Sequence, residues 1–247
     1  MIKFIELYIF YCLLIFQANA SSVAFVKEKI FFIDNEQNLC ELDSNTLFVK
    51  IYEKLPNKIR SLVASYSSLY ILDNENNVYS MGDNTYGQLG LLDYEHREVP
   101  EKIADLSNIS KIIAADYSAY FIDFNGVVYA VGANNHGQLA LGDYHNKAQV
   151  TKIFNLPPII SIFIISCTTF FLSDEGDVYI AGNISAINNI INHIKISSLS
   201  NIKNIICHRD IIFFIDNNNQ IYYAVYQNFD EIKEIKDRKS TRLNSSH

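Results

Sequence analysis

The sequence predicts an all-β fold built from propeller blades, each a small antiparallel sheet. Three observations carry that prediction: a hairpin pattern that recurs five times, a spacing close to fifty residues, and the lack of a helix-period segment of ten residues or more. The stretch after Gly182 (NISAINNIINHIKISS) comes nearest to a helical pattern, but its β-branched isoleucines favour a strand or loop.

The five hairpins are Phe31–Leu42, Tyr70–Gly82, Phe121–Gly132, Phe171–Gly182 and Phe214–Val225. Each is an apolar run, a turn rich in Asp, Asn and Gly, and a second apolar run. The apolar residue before the turn and the first one after it lie six apart every time: Ile33/Leu39, Leu72/Val78, Ile122/Val128, Leu172/Val178 and Ile215/Ile221. Val78, Val128 and Val178 are each 50 residues apart, whereas the first and last intervals are 39 and 43. Turn residues of these types tolerate the positive φ that tight hairpins require, and the flanking Ile, Val, Phe and Tyr suit a pleated, buried surface.

Upstream of four hairpins lies a further strand-like run: KIRSLVASY, ISKIIAADY, IISIFIISC and IKNIICHRD. Pro56, Pro100, Pro157 and Pro158 are read as connecting residues, where a missing N–H costs least. Three or four short strands cannot bury both of their faces alone, so the units must stack on one another.

Two units share a longer string. Gly82-Asp-Asn-Thr-Tyr-Gly87-Gln88-Leu89-Gly90 is followed by Asp93-Tyr94; fifty residues on, Gly132-Ala-Asn-Asn-His-Gly137-Gln138-Leu139-Ala140 is followed by Asp143-Tyr144. Glycines at the strand end permit crowding or positive φ, Asn84/Asn134 and the glutamines suit hydrogen bonding to loop backbone, and Leu89 and Leu139 suit pinning the loop down. Val78–Gly90 and Val128–Ala140 resemble the hallmark of the regulator-of-chromosome-condensation (RCC1-like) repeat family, V-Y-x-x-G followed by x-N-x-x-G-Q-L-G. The resemblance spans Ile30 to Val225. It departs from the pattern in the first unit, which lacks the Gly-Gln-Leu string, in the fourth, which keeps Gly182-Asn183, and in the fifth, which lacks the glycine.

Complete family members form a seven-bladed ring, so the resemblance implies an RCC1-like β-propeller that is incomplete, with four to five blades present. It implies a non-catalytic protein-interaction scaffold that binds a protein partner through a propeller rim. The alternatives it leaves open are a guanine-nucleotide exchange factor for a small GTPase, or the propeller part of a larger protein such as a ubiquitin ligase.

The chain ends set the domain limits. Met1–Ala20 has one basic residue, an apolar run from Phe4 to Phe16 and a small-x-small ending, the order of a secretory signal peptide; the run is too short to cross a membrane. Asp237–His247 (DRKSTRLNSSH) resembles the in-frame translation of a sequencing adapter and is read as an artefact tail. The propeller segment is therefore residues 21–236, secretory or extracellular if the leader is cleaved and otherwise cytoplasmic. Leaving out Lys3, Glu6, Asp237, Arg238, Lys239 and Arg242 moves the net charge from −7 to about −9. An acidic body without a basic patch argues against nucleic-acid binding.

Chemistry is sparse. Cys40, Cys167 and Cys207 form no CxxC pair and read as buried free thiols. His96, His136, His145, His193 and His208 show no metal-ligand spacing; His136, His145 and Asp143 are the nearest to a cluster. Asp73, Asp123, Asp174 and Asp216 recur in the turns and read as solvated turn residues, and Ser67 and Ser118 recur with the repeat. No nucleophile elbow, phosphate loop or dinucleotide fingerprint occurs. Asn108-Ile-Ser110 and Asn183-Ile-Ser185 are glycosylation acceptors if the chain is secreted. The chain reads as a non-enzyme, and no catalytic, cofactor-binding or metal-ligating residue is assigned.

Overall fold

The computed structural model describes residues 23–235, apart from residues 44, 47, 53–54, 105, 185–186, 209 and 227. The leader read at Met1–Ala20 and the tail read at Asp237–His247 lie outside the described residues. The described chain forms five four-stranded antiparallel sheets with strands in chain order. Blade 1 comprises β1 (Val23–Val26), β2 (Lys29–Ile33), β3 (Leu39–Asp43) and β4 (Val49–Ile51); blade 2 comprises β5 (Ile59–Ala64), β6 (Ser68–Asp73), β7 (Val78–Gly82) and β8 (Arg97–Lys102). Blade 3 holds β9 (Ile109–Ala114), β10 (Ser118–Asp123), β11 (Val128–Gly132) and β12 (Lys147–Lys152). Blade 4 holds β13 (Ile159–Ile165), β14 (Thr168–Ser173), β15 (Val178–Ile184) and β16 (Ile187–Lys195). Blade 5 holds β17 (Ile202–His208), β18 (Ile211–Asp216), β19 (Ile221–Val225) and β20 (Asn228–Glu234). The first unit thus forms a full blade without the Gly-Gln-Leu string, and the fifth is also four-stranded.

The six-residue spacing has a direct structural cause. Ile33↔Leu39, Leu72↔Val78, Ile122↔Val128, Leu172↔Val178 and Ile215↔Ile221 are the last paired residues before each hairpin turn. Pro100 departs from the expectation that the prolines sit in connections, because it lies inside β8. It is accommodated because β8 is the outer edge strand, and the register between β7 and β8 shifts in this region between Ser80 and Gly82.

The chain divides into two compact units, one reaching to Ala133 with Asn146–Lys152, the other holding Asn134–His145 and the residues from Ile153 onward. In the first unit blades 1, 2 and 3 stack face to face, with β1 beside β5 and β5 beside β9. Period-two alternation sends neighbouring residues of one strand into different seams. Leu69 and Ile71 of β6 pack with Phe31 and Ile33 of blade 1, while Tyr70 and Leu72 pack with Ala119 and Phe121 of blade 3. Both faces of β6 are therefore buried, and every one of its residues is inaccessible. That explains why the sequence shows near-continuous apolar runs where one-sided sheets would alternate. Each fully buried aromatic or aliphatic side chain contributes roughly 1.5–3 kcal/mol.

In the second unit blades 4 and 5 repeat this packing. Phe170 and Leu172 meet Ile212 and Phe214 in one cluster, and the rings of Phe170 and Phe214 contact edge to face at 6.0 Å.

Candidate functional site

One edge of the blades carries the hairpin turns between second and third strands. Asp34 Oδ1 accepts hydrogen bonds from the backbone N–H groups of Glu36 and Asn38, and Asp73 Oδ1 from those of Glu75 and Asn77. Asp123 serves Asn125 and Val127 in the same way, and Asp216 serves Asn218 and Gln220. Burial pushes the Asp73 carboxyl up, but hydrogen bonds from Asn57, Asn77 and the turn backbone outweigh it and leave the pKa below its ordinary value.

Two expectations change here. Asp73 and Asp216 are buried, so these are structural turn clamps and not solvated side chains. Asp174 is exposed and one position out of phase, since Ser173, whose Oγ accepts from Asp177 N, stands where the other blades have Asp. A serine hydroxyl performs the same turn chemistry as a carboxylate, so phase could not be read from the aspartates alone. Ser118 likewise corresponds to Ser68, each pairing with the strand-end glycine, and not to Ser67.

The opposite edge carries the turns between first and second strands and the long motif loops. In the loop after β7, Asn84 is fully buried. Its Nδ2 donates to the Asp93 carbonyl at 2.9 Å and to Asp93 Oδ1 at 3.1 Å, while its Oδ1 accepts from Leu89 N at 2.9 Å. Gln88 Oε1 accepts from Tyr86 N. The second unit reproduces the arrangement with Asn134, Asp143, Leu139, Gln138 and His136. Leu89 and Leu139 are fully buried, as a pinning role requires. The motif's polar groups thus serve the loop backbone.

The first of these loops fills the seam between blades 2 and 3. Tyr70 Oη donates to the Gln88 carbonyl and Ser80 Oγ to the Leu89 carbonyl, each at 2.8 Å. Leu92 N donates to the Ala148 carbonyl, and the Tyr86 and Tyr117 rings lie 4.9 Å apart. Gly87, at φ +78°, approaches blade 3 so closely that a Cβ there would fall 2.6 Å from the Ala148 Cα.

The seam between blades 1 and 2 lacks such a loop: five residues join β3 to β4, against fourteen between β7 and β8. It holds instead a cleft of about 730 Å³, floored by Phe31, Leu69 and Met81 and bordered by Lys50, Tyr52, Tyr66 and Glu98. Phe31 stands where blade 2 has Tyr70, and Glu41 where it has Ser80, as the pairs Phe31↔Glu41 and Tyr70↔Ser80 show. Glu41 is buried; it accepts a short hydrogen bond from Tyr52 Oη and is bridged by Lys29 Nζ at 2.8 Å. Burial first, then Glu41, drives the Tyr52 pKa well up, so the hydroxyl stays a donor. Lys50 Nζ lies 4.3 Å from the Tyr52 ring centre. Tyr66 is 62 % exposed at the mouth. The cleft's one signal in the sequence is the short connection between Leu42 and Val49, where the next two repeats carry a long loop.

The remaining candidates are not brought together. His145 is exposed, with Nδ1 3.8 Å from Asp143 Oδ1, and no group of three metal-ligating side chains occurs among the described residues. His193 is half-buried, burial lowering its pKa, with Nε2 3.1 Å from the Asn155 carbonyl and its ring against Tyr179. Cys40 is buried, whereas Cys167 and Cys207 are only half-buried; burial raises all three thiols, Cys40 and Cys207 to about 11.

A family model described as the regulator of chromosome condensation (RCC1) repeat matches residues 75–122, and a second model of the same description matches residues 59–88. Residues 59–122 therefore match RCC1 repeats, and the chain is similar to the RCC1-like repeat family. Human WBSCR16 is similar in structure, with a TM-score of 0.72 at 12% identity over 88% of this chain and 67% of that one. Yeast RCC1 (Prp20), solved bound to Kap60, gives 0.68 at 13% over 88% and 61%. Saccharomyces cerevisiae Prp20p, whose structure was described with its binding to Gsp1p and histones, gives 0.66 at 13% over 88% and 63%. This RCC1-like chain therefore has the β-propeller fold and spans about three fifths to two thirds of those proteins. No curated protein matches it by sequence.

Proposed function

We propose that this RCC1-like protein is a non-catalytic interaction scaffold that engages a protein partner through the blade edge bearing the long loops and the cleft. One observation carries the reading. The motif's side chains are engaged with their own loop backbone, while the neighbouring seam leaves an apolar-floored cleft with Tyr66 at its mouth. Exposed aromatic groups beside an apolar depression are the usual anchors of protein recognition. The similar Prp20 structures, described with Kap60 and with Gsp1p and histones, support a protein as the partner class.

A photo-reactive residue at position 66 tests this against one at position 124, since Phe124 is 63 % exposed on the opposite edge. Cross-links from position 66 alone are expected; equal cross-linking from both positions contradicts the edge assignment. Exchange on a small GTPase is the second reading, prompted by the likeness to Prp20. Acceleration of nucleotide release by this protein would replace the scaffold reading with that one. We further propose a secretory route, on the leader-like Met1–Ala20; an N-terminal tag retained on a cytosolic product contradicts it.

A further inference from the structure

We infer that the cleft between blades 1 and 2 is a receptor for a peptide turn of another protein, one that carries an aliphatic side chain beside a glycine bend. The inference rests on the scaffold reading and adds the chemistry of the occupant. Its basis is an internal precedent. In the next seam three positions corresponding to the cleft walls touch the chain's own turn. Gly132, the counterpart of Gly82, lies against Gln88; Ala148, the counterpart of Glu98, lies against Gly87; Tyr117, the counterpart of Ser67, meets Tyr86. In the first seam Gly82, Glu98 and Ser67 line the cleft. The same blade-to-blade geometry thus seats a glycine turn in one place and presents its seat in the other.

The side chains specify the kind of turn. Phe31, Leu69 and Met81 make an apolar floor that suits a leucine-like group. Phe31 lacks the hydroxyl that Tyr70 uses, and Glu41 is already held by Tyr52 and Lys29, so apolar contact and not backbone hydrogen bonding holds the guest. The cations on the lining are Lys27, Lys29, Lys50 and Arg97, and the carboxylates are Glu28, Asp43, Asp83 and Glu98. This balance disfavours a polyanion and predicts weak dependence on salt.

The probe is a synthetic peptide with the sequence Asp83–Asp93 (DNTYGQLGLLD), titrated against the whole chain by fluorescence anisotropy. Saturable binding is expected, with affinity falling at least about tenfold when two of the peptide's three leucines, Leu89 and Leu91, become Asp. The exposed Tyr66→Ala variant, which leaves the core intact, should weaken binding at least about threefold. Raising salt from roughly 0.1 to 1 M should change the affinity less than about twofold. Three results each overturn the inference: no saturable binding, equal binding of the Leu→Asp peptide, or a salt-induced loss beyond about tenfold. An unchanged affinity for Tyr66→Ala places the peptide elsewhere and overturns it as well. If cross-links from position 66 persist while the peptide fails to bind, the scaffold reading stands and this inference falls.

Discussion

Replacing Asn84 by Ala removes the one side chain that ties both ends of the motif loop together. Its amide makes three contacts, to the Asp93 carbonyl, Asp93 Oδ1 and Leu89 N, and is fully buried. A neutral hydrogen bond contributes about 1 kcal/mol net, and an orphaned buried N–H such as that of Leu89 costs about 1–3 kcal/mol. The expected loss is therefore about 2–4 kcal/mol, some of it recovered where water reaches the loop. For a chain of this size each kcal/mol lowers Tm by about 2–4 °C, which gives a fall of roughly 5–15 °C. Differential scanning calorimetry and urea unfolding measure it. Asn84→Asp keeps an acceptor for Leu89 N but loses the donor to Asp93 and buries a charge, so near pH 7 it should lose at least as much. It also faces the Asp93 carboxylate, so its deficit should shrink as pH falls through the carboxylate range. A change below about 0.5 kcal/mol for Asn84→Ala would refute the assignment of the motif to loop structure.

Acid stability follows from the turn carboxylates. Asp34 and Asp73 have pKa values lowered from 3.8, where burial raises them but hydrogen bonds prevail, and Asp93 is lowered chiefly by Arg97. A depressed folded pKa contributes stability that is complete above the unfolded value near 4 and is lost as pH falls through the folded value. Unfolding midpoints should therefore be flat from about pH 7 to 5 and drop below about 4, and Asp73→Asn should lessen that drop. The thiols of Cys40, Cys167 and Cys207, all raised by burial, should react with iodoacetamide at pH 8 at least about tenfold more slowly in the native than in the unfolded protein. Mass spectrometry of the alkylated chain checks this, and equal rates would contradict it. On blade 5, Ile206, Ile211 and Val225 are 46 %, 38 % and 40 % exposed on a sheet face. Exposed apolar sheet surface promotes self-association, so Ile206→Lys with Val225→Lys should reduce the concentration-dependent species seen in sedimentation velocity. Unchanged association would locate the contact elsewhere.

The blades were legible because their information is local. The six-residue spacing reports the closing pair of each hairpin, and Asn84 with Gln88 announced a loop that bonds its own backbone. Three features were hidden for physical reasons. Ser173 took over a turn that Asp fills elsewhere, so counting aspartates put Asp174 in the wrong phase. Pro100 entered a strand because an outer edge tolerates a missing N–H. The cleft is made by Phe31 and Leu69, residues from two blades that meet only when the sheets stack. Its cause is a loop that blade 1 does not have, and Glu41 reads in sequence as an ordinary polar strand residue.

Filling the cleft from within tests the interaction account most directly. In a variant whose Asp43–Phe48 turn is replaced by the Gly82–Arg97 loop, the grafted turn should occupy the seam as the native loop does between blades 2 and 3. Cross-linking from position 66 is measured in the native and grafted chains. Loss of at least about nine tenths of the cross-links in a graft that melts at or above the native temperature is the predicted result. Undiminished cross-linking in a folded graft would show that the partner does not use the cleft.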